Sequence, residues 1–186
     1  SDSAANQSGE ASSYKIGYQA AVDGYKDGST GTNPSTTNKD NSQPASYNSG
    51  YQYGMNEGRR TAGANDYVAK SINSSMQTSD AKYADGIAAA TQGFNDAYNQ
   101  AQVIQNPTTT STDHSYVIGF NAGLQKYAAD VQAQKDAQGY IDGANAFINN
   151  KQLTVPAGQT AAYQNNYSTG FQSAQVGLAL ALNNLG

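Results

Sequence analysis

The chain has 186 residues and a formal net charge of -4 at pH 7, and only 13% of its residues are charged. The 10 lysines and arginines are scattered, which makes nucleic acid and anionic membranes poor partners. The absence of cysteine excludes disulfides, thiol catalysis and cysteine-based zinc sites.

One phrase recurs along the chain: a tyrosine, a glycine three residues later, and usually an aromatic residue or Ile directly after the glycine. Copies begin at Tyr14, Tyr47, Tyr83, Tyr116, Tyr140 and Tyr167. In a helix, positions 0, 3, 4 and 7 of the phrase fall within an arc of about 120°. We therefore predict an all-α fold, a compact helical bundle of about six helices built from degenerate Tyr/Gly repeats. A short α-solenoid is the alternative.

A glycine inside a helix costs about 1 kcal/mol relative to alanine, so a glycine that recurs at one position needs a packing reason. We predict that the repeat glycines are points where a neighbouring helix or Tyr ring approaches the backbone: Gly17, Gly50, Gly86, Gly119, Gly143 and Gly170. We also predict that most stripe tyrosines lie in the core: Tyr14, Tyr18, Tyr47, Tyr51, Tyr83, Tyr116, Tyr140 and Tyr167.

In chain order, residues 1–12 lack apolar periodicity and are predicted to be a disordered lead-in to a single helical domain over 13–186. The first helix is predicted to begin at the N-cap Ser13 and to end at the C-cap Gly28. Residues 29–44 are rich in Gly, Pro and polar side chains, which predicts a long loop.

A second helix is predicted from Ala45 or Ser46, and it either breaks at Gly58 or Gly63 or continues through both. A third helix is predicted from about Asn65 to Met76. The remaining helices are predicted to start at polar cap candidates, namely Ser79-Asp80, Thr112-Asp113 and about Thr160. The helix that starts at Thr112-Asp113 runs to about Gln134 and then either continues or kinks before Tyr140. The apolar run Val176–Leu182 is too short to span a bilayer and is predicted to be a buried helix end.

The sequence offers little catalytic chemistry. A single histidine, His114, follows Asp113, and we interpret it as a solvated residue near a helix start rather than a general base or a metal ligand. Asp23, Asp85 and Asp142 are interpreted as solvated positions on polar helix faces. We therefore predict a protein that is not an enzyme and that uses no metal and no cofactor.

The predicted ligand-binding residues are Tyr53, Arg60 and Tyr67. Tyr53 lies off the repeat stripe, and heptad spacing puts the three on one face if the helix continues through Gly58 and Gly63. An exposed Tyr-Arg-Tyr face would be a binding patch, because Tyr combines an apolar ring with a hydroxyl. A helix break at either glycine would scatter the three residues.

The Tyr-x-x-Gly-Tyr/Phe phrase, carried on helices rich in Asn, Gln, Ser and Thr, resembles regions of exported cell-surface proteins of lactobacilli and related Gram-positive bacteria. The resemblance covers most of residues 14–180 and implies a secreted or cell-surface location with a role in adhesion, cell-wall association or display. Because the chain starts at Ser1 without a signal peptide pattern, we expect a mature or excised segment.

Three classes of function follow from these observations. The first is an adhesion or binding module that recognises a polysaccharide, a cell-wall or host polymer, or a surface protein through surface Tyr and amide side chains, without nucleic acid and without membrane insertion. The second is a passive helical spacer that displays another domain. The third, and weakest, is a hydrolase of wall polymer, which would need paired carboxylates.

Overall fold

The computed structural model describes residues 9–30 and 44–183, with side chains from Ser12 onward. It contains six helices: α1 (Gly9–Ser29), α2 (Ala45–Ala69), α3 (Ser74–Ser79), α4 (Ala81–Val103), α5 (His114–Ile148) and α6 (Ala161–Asn183). No strand occurs within those two ranges. The all-α helical-bundle class predicted from the sequence is confirmed.

The sequence predicts one helical domain, but by internal contacts the chain divides into two compact units. The division falls inside α5, between Gln125 and Lys126. Unit 1 contains α1 to α4 and the first part of α5, and unit 2 contains the rest of α5 together with α6.

Side-chain caps fix the starts of the later helices where the sequence places them. Asp80 accepts hydrogen bonds from the backbone N–H groups of Lys82 and Tyr83 at 2.9 and 3.1 Å and so caps α4. Asp113 caps α5 in the same way, and the Thr160 hydroxyl caps α6. Such caps stabilise a helix by about 1 kcal/mol because they satisfy N–H groups that have no partner within the helix.

The first helix begins earlier and ends later than predicted. It starts at Gly9 rather than at Ser13, so residues 9–12 of the predicted lead-in are helical, and residues 1–8 lie outside the described part of the chain. Gly28 is not a C-cap, because α1 continues through it and packs it against the backbone of Met55. Most of the predicted loop over 29–44 also lies outside the described residues.

The second helix is one element where the sequence predicts two. It runs without a break through Gly58 and Gly63 and ends at Ala69, so the predicted helix over 65–76 is wrong. The glycines persist because each lies against a neighbouring helix: a methyl group on Gly58 would be 2.3 Å from the carbonyl oxygen of Tyr25 in α1. Close packing there offsets the low helix propensity of glycine.

Four pairs of neighbouring long helices run parallel to each other. In α1 and α2, Gly17 lies opposite Gly50 and Gly28 lies opposite Met55. The same direction holds for the three later pairs, in each of which contacts advance along both helices together. In α2 and α4, Arg59 contacts Asp80 and Tyr67 contacts Phe94. In α4 and α5, Ala90 contacts Gly119 and Ala97 contacts Gly123, and in α5 and α6, Gly139 contacts Tyr163 and Phe147 contacts Phe171. Parallel neighbours need a connection that returns along the helix, as in bundles with long crossovers.

The parallel helices meet through a recurring backbone contact, which we call a junction. A glycine of one helix faces the carbonyl oxygen of a tyrosine in the next helix. The contact is reciprocal. The second helix has a glycine three residues after its tyrosine, and this glycine faces a carbonyl oxygen of the first helix, that of the residue three positions before the first glycine. The junctions pair Gly24 with Tyr51, Gly63 with Tyr83, Gly93 with Tyr116 and Gly143 with Tyr167. A methyl group on any of the eight glycines would lie only 1.8 to 2.1 Å from the facing oxygen. Four of the eight are contact points that the sequence predicts, namely Gly86, Gly119, Gly143 and Gly170, and the other four are not among the predicted glycines.

A tyrosine–aspartate hydrogen bond accompanies three of these junctions. The tyrosine hydroxyl donates to an aspartate three residues after the junction glycine: Tyr51 to Asp27 at 2.5 Å, Tyr83 to Asp66 at 2.6 Å and Tyr116 to Asp96 at 2.9 Å. The Gly143 junction has Ala146 at the aspartate position, and there Tyr167, Phe171 and Ala146 form an apolar cluster instead. The aspartates therefore orient tyrosine rings between helices.

A variant of the junction lies in unit 2, between α5 and the start of α6. Gly139 faces the carbonyl oxygen of Tyr163, whose hydroxyl donates to Asp142 at 2.6 Å. Asn166 occupies the position of the second glycine, and its amide donates to the carbonyl oxygen of Asp136 at 2.8 Å. The interpretation of Asp142 as merely solvated is therefore wrong.

The tyrosine core is smaller than predicted. Tyr51, Tyr83 and Tyr167 are buried, and Tyr47 and Tyr116 are partly buried. Three others predicted to be core are exposed, namely Tyr14, Tyr18 and Tyr140. The run Val176–Leu182 is also exposed rather than a buried helix end, because α5 ends at Ile148 and leaves that part of α6 uncovered.

Candidate binding surface

The three predicted ligand-binding residues lie on α2, which runs unbroken through all of them. Tyr53 is 67% exposed. Arg60 is held in ion pairs, and the ring of Tyr67 packs edge-on against Phe94 with ring centroids 6.2 Å apart. The structure therefore does not form the exposed Tyr-Arg-Tyr face, and a ligand role for these residues stays a prediction.

Arg60 ties α2 to the start of α5. Its Nη2 lies 2.5 Å from Oδ2 of Asp113, and its Nη1 lies 3.7 Å from Oε1 of Glu57. Partial desolvation opposes ionisation of Asp113, but the hydrogen bond from Arg60 and those from the backbone of Tyr116 and Ser115 outweigh it and lower the pKa of that carboxyl. The hydrogen bond to Asp113 likewise raises the pKa of Arg60. Arg60 therefore stabilises the packing of α2 against the start of α5 through its ion pair with Asp113.

Of the three predicted ligand-binding residues, Tyr53 keeps an exposed side chain, and it lies beside two amides. Gln52 donates from Nε2 to Oδ1 of Asn56 at 3.1 Å, which joins the residues directly before and three after the tyrosine. Ser49, one turn before Tyr53 on the same helix, is also exposed and carries only a small polar side chain. We call Ser49, Gln52, Tyr53 and Asn56 the Tyr53 surface.

The chemistry of the Tyr53 surface is neutral. A phenol ring supplies an apolar face and a hydroxyl, and the two amides supply donors and acceptors. Glu57, one turn after Tyr53, is paired with Arg60. Such a surface suits a neutral, hydroxyl-rich ligand that stacks on a ring and bonds to amides, and it offers no ion pair to a charged one.

The helical pattern predicts Tyr53 as a ligand-binding residue but does not predict its amide neighbours Gln52 and Asn56, although their spacing of four residues is visible in the sequence. It also misses the aspartates that accept tyrosine hydroxyls. Their signal is a Gly-x-x-Asp pattern that recurs at Gly24-Asp27, Gly63-Asp66, Gly93-Asp96 and Gly139-Asp142. Read together with Tyr-x-x-Gly, this pattern predicts which helix faces meet.

Other kinds of site find little support in the described ranges. No group of three or more His, Cys, Asp or Glu residues there is placed to hold a metal ion. His114 is exposed as the first residue of α5. None of the helices in residues 9–30 and 44–183 combines the length and apolarity needed to cross a bilayer.

Comparison with protein-family models, with curated protein sequences and with solved structures finds no match to this chain. The resemblance to Gram-positive cell-surface proteins therefore stays a prediction from the repeat phrase.

Proposed function

We propose that this protein is an extracellular, cell-surface binding module that recognises a neutral glycan or cell-wall polymer through the Tyr53 surface. The observation that carries the proposal is the exposure of Tyr53 beside the bonded amides of Gln52 and Asn56. Many other tyrosines are engaged in helix packing, whereas the ring of Tyr53 makes no contact with other rings in the described chain.

Recognition of this kind gives weak binding at each site. A single stacked ring and a few amide hydrogen bonds must offset the loss of translational freedom, which gives a dissociation constant of about 0.1 to 1 mM. Because no ion pair contributes, binding should change little with salt. Retention on the polymer would come from repeated sites along one polymer strand.

The test is co-sedimentation of the whole chain with purified Gram-positive peptidoglycan that carries its glycopolymers. We expect Tyr53→Ala to reduce the bound fraction about fivefold, a loss typical of one stacked ring, while the melting temperature stays within a few degrees. Binding by the unmodified protein should be nearly equal at about 50 and 500 mM NaCl.

Two control variants sharpen this test. Tyr14→Ala removes another ring that is 52% exposed and has no amide pair of the same kind, and His114→Ala removes the exposed imidazole. Both should bind as the unmodified protein does. Equal losses for Tyr14→Ala and Tyr53→Ala would show non-specific adhesion, and a steep loss with salt would show an ionic partner; either result contradicts the proposal.

The second candidate function is a helical spacer that displays another domain. The recurrence of the junction favours it, because backbone contacts at eight glycines hold successive helices at fixed positions. The same sedimentation experiment separates the candidates. If the unmodified protein does not sediment with any wall polymer, the spacer function becomes the better account.

A further inference from the structure

The face of α6 that packs on α5 continues beyond the end of α5. Tyr163, Tyr167 and Gly170 contact α5, and the same spacing of four and three residues continues along α6 as Ala174, Gly177 and Ala181. The last ring contact between the two helices is that of Phe147 with Phe171, at a centroid distance of 5.4 Å. Among the described residues of unit 2, no helix lies against the second half of this stripe.

The uncovered half is apolar around most of its circumference. Its four large side chains are each more than half exposed: Val176 at 57%, Leu178 at 51%, Leu180 at 59% and Leu182 at 60%. No atom of the residues that the structure describes lies within 4 Å of the position that a Cβ atom on Gly177 would take. A helix that is apolar on all sides belongs in an interior, and a contiguous exposed patch of this kind marks an interaction site.

The junctions within the chain show what fits such a face. Gly93 follows Tyr83 by ten residues, and Gly177 follows Tyr167 by the same interval. Gly93 is buried against the backbone of Tyr116 in the next helix, with 2.1 Å between its Cβ position and the tyrosine oxygen. The stripe around Gly177 therefore has the small-residue surface that this chain uses to bring two helix backbones together.

We propose that residues 174–183 of α6 form a self-association surface that is covered by the same segment of a second copy of this chain. The contact continues the α5–α6 interface: the partner's segment takes the place beside α6 that α5 leaves after Ile148. The arrangement is reciprocal, so a two-fold axis near Gly177 gives a closed dimer rather than a filament.

Charge and shape both favour a second copy. The whole of α6 carries no charged residue, so two copies meet without like-charge repulsion. Leu178 and Leu180 flank the open position at Gly177, and in a two-fold contact the leucines of each copy pack over the glycine and alanines of the other. Inside unit 2 the open side of Gly143 is likewise filled by a neighbouring helix, there through the backbone of Tyr167.

The expected dimer is weak. The free stripe covers about three helical turns, and such a contact falls below the roughly 1,200 Å² of total buried area at the low end of specific interfaces. We therefore expect a dissociation constant of about 100 μM. Sedimentation equilibrium of the whole chain from about 10 to 1,000 μM should show its mass rising from the monomer value of 19.4 kDa towards twice that value.

Two variants test whether the association uses this face. In the monomer, the new side chain of Gly177→Leu extends into open space. In the dimer it would lie where the two helices approach most closely and would push them apart, so the dissociation constant should rise about tenfold or more. Leu178→Glu should abolish association, while Leu153→Glu, which changes a leucine that is 43% exposed in the loop before α6, should leave it unchanged. Circular dichroism of each variant should show unchanged helix content.

Each of three outcomes would overturn the proposal. A monomer throughout the concentration range leaves the face to a different molecule. Equal or tighter association by Gly177→Leu shows apolar adhesion without close packing. Equal effects of Leu178→Glu and Leu153→Glu place the contact elsewhere on the surface.

Discussion

The junction between α4 and α5 and the second half of α6 place the same residue type at the same spacing in opposite surroundings. Gly93 and Gly177 each lie ten residues after a phrase tyrosine. The first is buried against the next helix, and the second is open to solvent. What differs between the two sites is the presence of a neighbouring helix at that level.

In a repeat sequence, two properties of a residue must be kept apart: the helix face on which it lies, and whether another helix covers that face. Helical periodicity determines which face a glycine occupies, since the direction of each side chain follows from its position. Whether that face is covered depends on where the neighbouring helix begins and ends. The exposed run after Phe171 follows from the end of α5 at Ile148, and no local feature of α6 signals it.

The largest effect should come from filling a junction. Gly119→Leu places a side chain where a methyl group alone would lie 1.9 Å from the carbonyl oxygen of Ala90. Backbone on a packed helix cannot yield as the end of a flexible side chain can, so α4 and α5 must separate. We expect the free energy of unfolding to fall by at least about 3 kcal/mol in urea titrations.

The matched change on the open face is Gly177→Leu. Below the concentrations at which the chain associates, it should change the free energy of unfolding by less than about 1 kcal/mol, and in the stabilising direction, because a leucine favours the helix more than a glycine does. Equal losses of stability for Gly119→Leu and Gly177→Leu would contradict the junction geometry.

An intermediate effect should come from the hydrogen bond that accompanies a junction. Tyr83→Phe removes a hydroxyl that donates to Asp66 at 2.6 Å and accepts from the backbone N–H of Asn73 at 2.9 Å. We expect a loss of about 1 to 2 kcal/mol, measured by urea unfolding, because a charged acceptor loses its donor in a partly buried site.

Tyr167→Phe is the control for this change. Tyr167 heads a junction with Ala146 in place of the aspartate, and its hydroxyl makes no hydrogen bond with a described residue. Its loss should stay within about 0.5 kcal/mol. Similar losses in the two variants would mean that the Tyr83–Asp66 bond contributes nothing beyond the packing of the ring.

Much of the fold can be predicted because it depends on local signals. The helix class follows from the phrase, and the starts of α4, α5 and α6 follow from Asp80, Asp113 and Thr160 as caps. The errors arise where packing between helices overrides local propensity. Gly28 is predicted as a helix end, and Gly58 and Gly63 are candidate break points, yet each lies inside a helix and against a neighbour.

The candidate site is less predictable from sequence for a related reason. Heptad spacing places Tyr53, Arg60 and Tyr67 on one face, but it cannot show that Asp113 and Phe94 from later helices engage two of them. Tyr53 stays exposed because none of the described elements covers it. A non-local partner decides each case, and a single sequence contains no direct record of such pairs.

The smallest effect should appear as a dependence of stability on alkaline pH. The hydrogen bond from Tyr163 to Asp142, with a contribution from desolvation, raises the pKa of Tyr163 from 10.0 to about 12. The folded protein therefore holds this proton more tightly than the unfolded chain does. The resulting stabilisation is complete below pH 10 and is lost as pH rises from 10 towards 12.

Tyr163→Phe should flatten this fall in the free energy of unfolding, measured by urea titrations between about pH 9 and pH 11.5. Asp142→Asn should flatten it as well, since the neutral amide no longer favours the protonated phenol, and the double variant should add little to either single change. Residual slope is expected because burial raises the pKa of Tyr83 and Tyr116 in the same direction. An unchanged slope in both single variants would mean that the Asp142 carboxylate does not hold the Tyr163 proton. The backbone contact at Gly139 and the hydrogen bonds from Thr160 and Asn166 to Asp136 would then join α5 to the start of α6 without it.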